Sequence, residues 1–302
     1  MRGASRPAFG AFSLAGYPNV YDSAAALVAF AHSGASLLEV GIPSVDPWLD
    51  GSVIRTAHEA ALHSGDGVAT AVETVRRITS EVAQPVYCMA YWSTVHDFGP
   101  RRLAEQLAAA GAAGCLIADV PLASRAAWVS AADAADLAAP LLVNRDARQS
   151  ELEETSQAAS GFIYAPAVHG QRTGYSAEID LPALTSFVAT VRPGARGTPV
   201  LTGIGVSTPA LAAAVVSQCN VDGVVAGSPL IRALTEGGVP RAAALVSRFV
   251  DSIDATASRT TAEAPRPSPA GDGRILTAAA PPPRTHLAST NRLEPLSPEW
   301  IS

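Results

Sequence analysis

Two carboxylates lie eleven positions apart at the end of a β-rich run and in the loop after it. Glu39 belongs to the run Ser36–Ile42, and Asp50 lies in the following loop. Side chains alternate along a strand, so Glu39 shares its face with Leu37 and Gly41. A carboxyl group among apolar side chains is costly to ionise, which raises its pKa toward neutrality. The sequence therefore predicts a general acid/base at Glu39.

Asp50 and a second aspartate, Asp119, are each open to two interpretations. Asp50 precedes Gly51, where an aspartate often serves a turn, but it also lies close to Glu39 along the chain. Asp119 ends the apolar run Gly114–Asp119. It either takes part in chemistry or caps the helix that follows it.

Two glycine clusters are candidates for an anion site. Thr202–Ser207 and Ala226–Pro229 each follow a β-rich run and precede a helical segment. Glycines let backbone N–H groups approach an anion, and a helix N-terminus favours negative charge. We expect these loops, including Gly205, Gly227 and Ser228, to bind phosphate. The alternative is that the glycines serve only tight turns.

The basic residues exclude several kinds of chemistry. All 21 basic residues are arginine, so the chain contains no lysine. Schiff-base aldolases and pyridoxal phosphate enzymes need a lysine amine, and a Walker-type phosphate loop needs its lysine. Carbon–carbon bond chemistry on this chain would have to use carboxylates, histidine or a metal.

The histidines do not predict a metal site. His58 and His63 lie five positions apart, so they point in different directions on a helix, and both are expected to be exposed. The remaining histidines have no ligand partners nearby in the sequence, and no nucleophile elbow is present. We predict neither a metal nor a cofactor.

The elements that must position these residues alternate along the first 254 residues. The β-rich runs are Phe9–Leu14, Ser36–Ile42, Pro85–Tyr91, Gly114–Asp119, Pro140–Val143, Gly161–Tyr164, Pro199–Thr202 and Asp222–Ala226. The amphipathic stretches are Ser23–Ser33, Gly65–Val82, Gly99–Ala110, Ser124–Ala135, Gln149–Ala159, Leu181–Val191, Thr208–Ser217 and Arg241–Ser252. Eight such units over about 250 residues predict an α/β fold, a closed (β/α)₈ TIM barrel, with its site at the carboxyl ends of the strands.

The bulk properties describe a soluble chain with a distinct tail. The net charge is −6 and the arginines are scattered, so no nucleic-acid surface is predicted. The uncharged stretch 197–221 is interrupted by prolines and glycines and does not predict a membrane span. Three separated cysteines suggest reduced thiols and a cytoplasmic location. Residues 255–302 hold 8 of the 23 prolines and are predicted to be a disordered tail.

At this point the motifs resemble those of a known family, the tryptophan synthase α subunit. The segment Glu39–Gly51 is similar to the signature segment of that family. The resemblance covers roughly residues 8 to 252, and the matching segments follow one another in the same order. Supporting segments are Ala15–Pro18, Met89–Trp92, Ala118–Pro121, Gly203–Ser207 and Gly227-Ser228.

The resemblance implies a lyase that cleaves indole-3-glycerol phosphate to indole and glyceraldehyde 3-phosphate, in L-tryptophan biosynthesis. By position, Glu39 would be the acid/base and Asp50 would bind the indole N–H. Backbone groups at Gly174, Gly205, Gly227 and Ser228 would hold the phosphate. Tyr164 would line the pocket, and Thr173 would be the loop residue that meets Asp50. Asp119 is counted with the substrate-binding residues on the same basis.

The resemblance also implies a partner, a pyridoxal phosphate-bearing β subunit in an α₂β₂ heterotetramer. Three alternatives stay open. A free-standing lyase is suggested because the loop after strand six is one residue longer than usual and few residues precede strand one. A non-catalytic paralogue would regulate a β subunit, but it would need a broken site. A different sugar-phosphate barrel, such as an isomerase, would explain the glycine loops but not the segment around Glu39.

Overall fold

Eight parallel strands close into a barrel in the order β1 to β8. The computed structural model describes residues 6–168, 170, 173 and 178–263. The strands are β1 Ala8–Leu14, β2 Leu37–Gly41, β3 Val86–Ala90, β4 Gly114–Ile117, β5 Leu141–Leu142, β6 Ile163–Pro166, β7 Val200–Gly203 and β8 Gly223–Ala226. Each lies within two residues of a predicted run at its start and at its end, so the predicted (β/α)₈ barrel is confirmed.

Helices connect the strands on the outside of the barrel. They are α1 Val20–His32, α2 Ser52–Ser64, α3 Gly67–Thr79, α4 Trp92–Phe98, α5 Pro100–Ala109, α6 Leu122–Ala134, α7 Gln149–Ala158, α8 Leu181–Ala195, α9 Pro209–Gln218 and α10 Ser228–Glu263. The predicted amphipathic stretches do not include α2, α4 or the first part of α10, although the sequence analysis placed His58 and His63 on a helix and expected a helix directly after Pro229. The backbone leaves helical geometry inside α10 at Gly237 and Gly238, just before Pro240.

Several helices begin where a short polar side chain satisfies free backbone donors. Asn19 accepts from the first turn of α1, and Asp66 does the same for α3. Asp180 and Thr208 cap α8 and α9 in the same way. Such caps each stabilise a helix by about 1 kcal/mol and fix its starting residue.

The end of the helical region differs from the expectation. Helix α10 continues to Glu263, beyond the predicted helical stretch Arg241–Ser252, and the domain boundary at residue 254 remains a prediction. Residues 264–302 lie outside the described residues, and the predicted disordered tail in that range remains a prediction. Within the part of the chain that is described, no helix combines the length and apolarity needed to cross a bilayer.

The strand register sends alternate side chains into the barrel. Phe12 of β1 pairs with Glu39 of β2, and Glu39 pairs with Tyr87 of β3. Register partners in a parallel sheet share a face, so the three side chains lie on the same, inner face. The closed sheet thus holds a carboxyl group among aromatic neighbours.

The seam between β1 and β8 depends on a residue without a side chain. Ala8 pairs with Gly223 across this seam. A Cβ at position 223 would lie 2.5 Å from the Ala8 carbonyl oxygen and 2.8 Å from its Cβ. Both contacts are far inside van der Waals distance, so the strands can approach only because residue 223 is glycine.

We expect Gly223→Ala to destabilise the protein by about 1–3 kcal/mol, because the added methyl group must push two paired strands apart. Urea denaturation monitored by circular dichroism measures this loss. Gly65→Ala is the control, since a Cβ there meets only the Thr70 hydroxyl, at 3.1 Å. Equal unfolding midpoints for the two variants would contradict the proposed role of the seam.

Candidate active site

A cavity opens at the carboxyl ends of the strands. Its polar lining includes Glu39, Asp50, Tyr164 and Thr173. Its apolar walls comprise Phe12, Leu49, Ile54, Met89, Leu116, Leu142 and Val225. The carboxylates predicted from the sequence therefore face one largely apolar chamber.

Glu39 projects from β2 into this chamber and is only 4% exposed. Burial raises the pKa of its carboxyl group to about 8, and the negative charge of Asp50 adds to the increase. A carboxyl group with this pKa is mostly protonated at pH 7, so it can donate a proton and later take one back. The burial on which the sequence argument for a raised pKa depends is present in the structure.

Asp50 lies in the loop between β2 and α2, is 3% exposed and accepts three side-chain hydrogen bonds. The Tyr91 hydroxyl donates to its Oδ2 at 2.7 Å, and the Thr173 hydroxyl donates to its Oδ1 at 2.9 Å. The third partner is the Nε2 atom of His58, 3.3 Å from Oδ2. A residue that served only a turn would not need this set of partners.

Thr173 ties the loop after β6 to the loop after β2. Its hydroxyl accepts a hydrogen bond from the Gly51 N–H at 2.9 Å while donating to Asp50. Its own N–H donates to the Leu49 carbonyl at 2.9 Å. The structure therefore brings together Thr173 and Asp50, the pair expected from the resemblance. Gly174, the next predicted site residue, lies outside the described residues.

Tyr164 lies within β6 and is buried. Its hydroxyl group is hydrogen-bonded to the backbone of Ile204, and burial followed by the charge of Glu39 raises its pKa well above the usual range. A Cβ at Gly203 would lie 1.9 Å from the Tyr164 hydroxyl oxygen. The glycine at position 203 therefore makes room for this phenol.

The two glycine loops meet at one end of the cavity. Gly205, Gly227 and Ser228 all line it, and so does Ser207, which the sequence did not single out. Gly205 has a φ of +112°, a conformation that favours glycine. Helix α10 begins at Ser228, so its N-terminus lies at the lining of this end of the cavity.

Asp119 does not cap the helix that follows it, and its expected role in substrate binding remains a prediction. Its Oδ2 accepts from the Trp48 indole N–H at 2.7 Å, and its Oδ1 accepts from the Trp92 backbone N–H at 2.6 Å. It thus caps α4 instead of the following helix, α6, which starts after Pro121 without a side-chain cap. The neighbouring Ala118, not Asp119, belongs to the cavity lining.

His58 contradicts the expectation that both histidines of α2 are exposed. His63 is exposed, but His58 is 1% exposed and contacts Asp50. The other buried residues of α2 are Ile54, Ala57 and Ala61. Their spacing places His58 on the inner stripe of the helix, and this helical periodicity is the signal that could have identified it.

A closed barrel whose strand ends surround a cavity lined by a buried carboxyl group and a second carboxylate has the arrangement of a barrel enzyme. The family model of the tryptophan synthase alpha chain matches residues 1–258 of this sequence. The chain belongs to the tryptophan synthase alpha chain family.

Relatives and solved structures agree with this assignment. The tryptophan synthase alpha chain of Streptomyces coelicolor is 36% identical over 231 residues, which are 76% of this chain and 83% of the relative. That of Mycobacterium tuberculosis is 35% identical over 241 residues, 79% of this chain and 86% of the relative. A structure of M. tuberculosis tryptophan synthase matches with a TM-score of 0.74 at 33% identity, covering 82% of this chain and 93% of that chain.

We expect the Glu39 carboxyl group to titrate near pH 8, the value to which burial and the Asp50 charge raise its pKa. Carbon-13 NMR of glutamate labelled at Cδ measures this titration directly. In Asp50→Asn the pKa should fall, because one cause of the increase is removed, but it should stay above the ordinary 4.5 because burial remains. Titration near 4.5 in the unmutated protein would contradict the burial argument.

Proposed function

We propose that this chain cleaves indole-3-glycerol phosphate to indole and glyceraldehyde 3-phosphate, the α reaction of tryptophan synthase, and that Glu39 and Asp50 carry the chemistry. The observation that carries the proposal is the pairing of a protonated carboxyl group with a hydrogen-bonded carboxylate in one apolar cavity. The apolar walls suit an indole ring, and membership of the family supplies the reaction.

The proposed reaction moves one proton in and one proton out. Glu39, protonated at the start, donates its proton to C3 of the indole ring, and Asp50 accepts a hydrogen bond from the indole N–H and stabilises the positive charge of the resulting indolenine. Glu39, now a carboxylate, takes the proton of the glycerol hydroxyl group next to the ring. The oxygen lone pair forms the aldehyde, the C–C bond breaks, and its electron pair restores the aromatic ring.

The glycine loops are proposed to hold the phosphate. Gly205, Gly227 and Ser228 would present backbone groups to it, and the N-terminus of α10 would favour its charge. Among the described residues that line the cavity there is no arginine, so backbone dipoles would replace a side-chain cation. Gly174 is proposed from the resemblance as a further contact, and Tyr164 as part of the wall near Glu39. Asp119 is assigned to positioning the loop and α4, since it does not reach the cavity lining.

The proposed partner is a tryptophan synthase β subunit, in an α₂β₂ assembly. The relative from M. tuberculosis was solved as tryptophan synthase, the enzyme for which the family is named. In this chain, Val45 is 87% exposed and Trp48 is 45% exposed, and both lie in the loop that carries Asp50. Leu122, at the start of α6, is a third exposed apolar side chain near the strand ends. We also infer a cytoplasmic location, which the three free and buried thiols support.

We expect Glu39→Gln to lower the rate of indole formation from indole-3-glycerol phosphate by about 10²–10⁴-fold, the typical contribution of a general acid/base. Binding of indole-propanol phosphate, which has the ring and the phosphate but no cleavable hydroxyl, should change little. Glu59→Gln, at an exposed position of α2, is the matched control. Undiminished turnover of the Glu39→Gln variant would refute the proposed mechanism.

A tryptophan synthase β subunit should bind this chain and stimulate indole formation. Val45→Asp should weaken that binding by at least tenfold, because it places a charge on an exposed apolar loop, and should leave the rate of the isolated chain unchanged. Analytical ultracentrifugation and the indole assay measure the two effects. Gln157→Asp, exposed at the far end of α7, adds the same charge away from this face.

The partner experiment also separates the two catalytic alternatives. A chain that shows full activity alone and forms no complex would be a free-standing lyase. The presence of both carboxylates in the cavity argues against a non-catalytic paralogue.

A further inference from the structure

His58 is a buried polar side chain to which the proposed reaction assigns no role. It projects from α2 toward the loop after β2 and is 1% exposed. The described lining of the cavity includes Asp50 but not His58, so the imidazole stands behind the carboxylate and not beside the ligand.

Both ring nitrogens of His58 have partners, and one of them determines the proton on the other. The Ser44 backbone N–H lies 2.9 Å from Nδ1 and can only donate, so Nδ1 carries no proton. The proton of the neutral ring is therefore on Nε2, which lies 3.3 Å from Asp50 Oδ2 and donates to it. A protonated Nδ1 would leave the buried Ser44 N–H without an acceptor.

A second aromatic side chain supports the same oxygen. Tyr91 donates to Asp50 Oδ2 at 2.7 Å, and its ring meets the imidazole edge-on, with centroids 6.1 Å apart. Tyr91 and His58 thus both donate to Oδ2 of Asp50, while Oδ1 of Asp50 accepts from Thr173. This arrangement leaves Asp50 one fixed orientation in the cavity.

We propose that His58, held in its Nε2–H tautomer by the Ser44 N–H, is a positioning residue that fixes the orientation of the Asp50 carboxylate for catalysis. The proposal rests on the proposed function of Asp50. His58 makes no contact with substrate and exchanges no proton in the reaction. Its contribution is to keep Asp50 aligned as positive charge develops on the ring, where a small misplacement costs a large factor in rate.

The tautomer is tested without any activity measurement. In a protein labelled with nitrogen-15 at histidine, two-bond ¹H–¹⁵N correlation spectra distinguish a protonated Nε2 from a protonated Nδ1. We expect His58 to be neutral, with its proton on Nε2. A proton on Nδ1, alone or together with one on Nε2, would overturn the proposal, and this result does not depend on whether the chain cleaves indole-3-glycerol phosphate.

Two substitutions test the effect on rate. His58→Leu keeps the apolar volume but removes the donor, and kcat for indole formation should fall about 10–100-fold with KM changed less than about threefold. His58→Gln places an amide N–H where Nε2 was and should restore kcat to within about threefold of the unmutated protein. His63→Leu, on the exposed face of the same helix, is the control.

A double substitution separates positioning from general packing. In an Asp50→Asn background, His58→Leu should cost less than about twofold in kcat, because there is no carboxylate left to orient. A cost there equal to that in the unmutated background would overturn the proposal, and so would unchanged kcat in His58→Leu alone. If His58→Leu does not fold, a large loss of kcat in a folded His58→Gln would overturn it. Failure of the unmutated chain to form indole would refute the proposed function instead.

Discussion

The site depends on keeping one carboxyl group protonated in the barrel next to another that is held by hydrogen bonds. Glu39 can stay neutral because the closed sheet removes it from water and because the charge of Asp50 lies nearby. Asp50 tolerates burial because Tyr91, His58 and Thr173 contact its two oxygens. The two carboxyl groups depend on each other. The Asp50 charge helps to keep the proton on Glu39, and the loops that bring donors to Asp50 also border the cavity around Glu39.

The same chamber is built to accept negative charge without a cationic side chain. The chain contains no lysine, and the described lining has no arginine. A cation beside the carboxylates would favour ionised Glu39 and so lower its pKa. The start of α10 lies at the cavity lining and provides a weaker, localised positive field there. The proposed phosphate site therefore needs no cationic side chain that would lower the pKa of Glu39.

Much of the fold could be predicted from the sequence because a (β/α)₈ barrel repeats one local pattern, a short strand followed by a helix. The eight strands are short, apolar and bordered by Pro or Gly, and each of these signals is local. Helix α4 was not predicted because it has only seven residues and buries only Val95. Helix α2 was not among the predicted amphipathic stretches, and its buried stripe of Ile54, Ala57 and Ala61 also contains the polar His58. Glu39 and Asp50 could be proposed from strand alternation and motif. The hydrogen bond from Tyr91 to Asp50, and the contacts of Asp119 with Trp48 and Trp92, come from segments distant in sequence, so only the folded chain shows them.

The seam between Ala8 and Gly223 also has a meaning for how the protein is made. The first strand can pair with β2 as soon as both have been synthesised, but its other edge stays open until residue 223 leaves the ribosome. At 5–20 residues per second this interval lasts roughly 10–40 s. During that time a strand rich in phenylalanine and alanine presents unpaired backbone groups, which invite pairing with other chains. Translation speed and chaperone access over this interval therefore bear on the yield of folded barrel, independently of the stability of the finished protein.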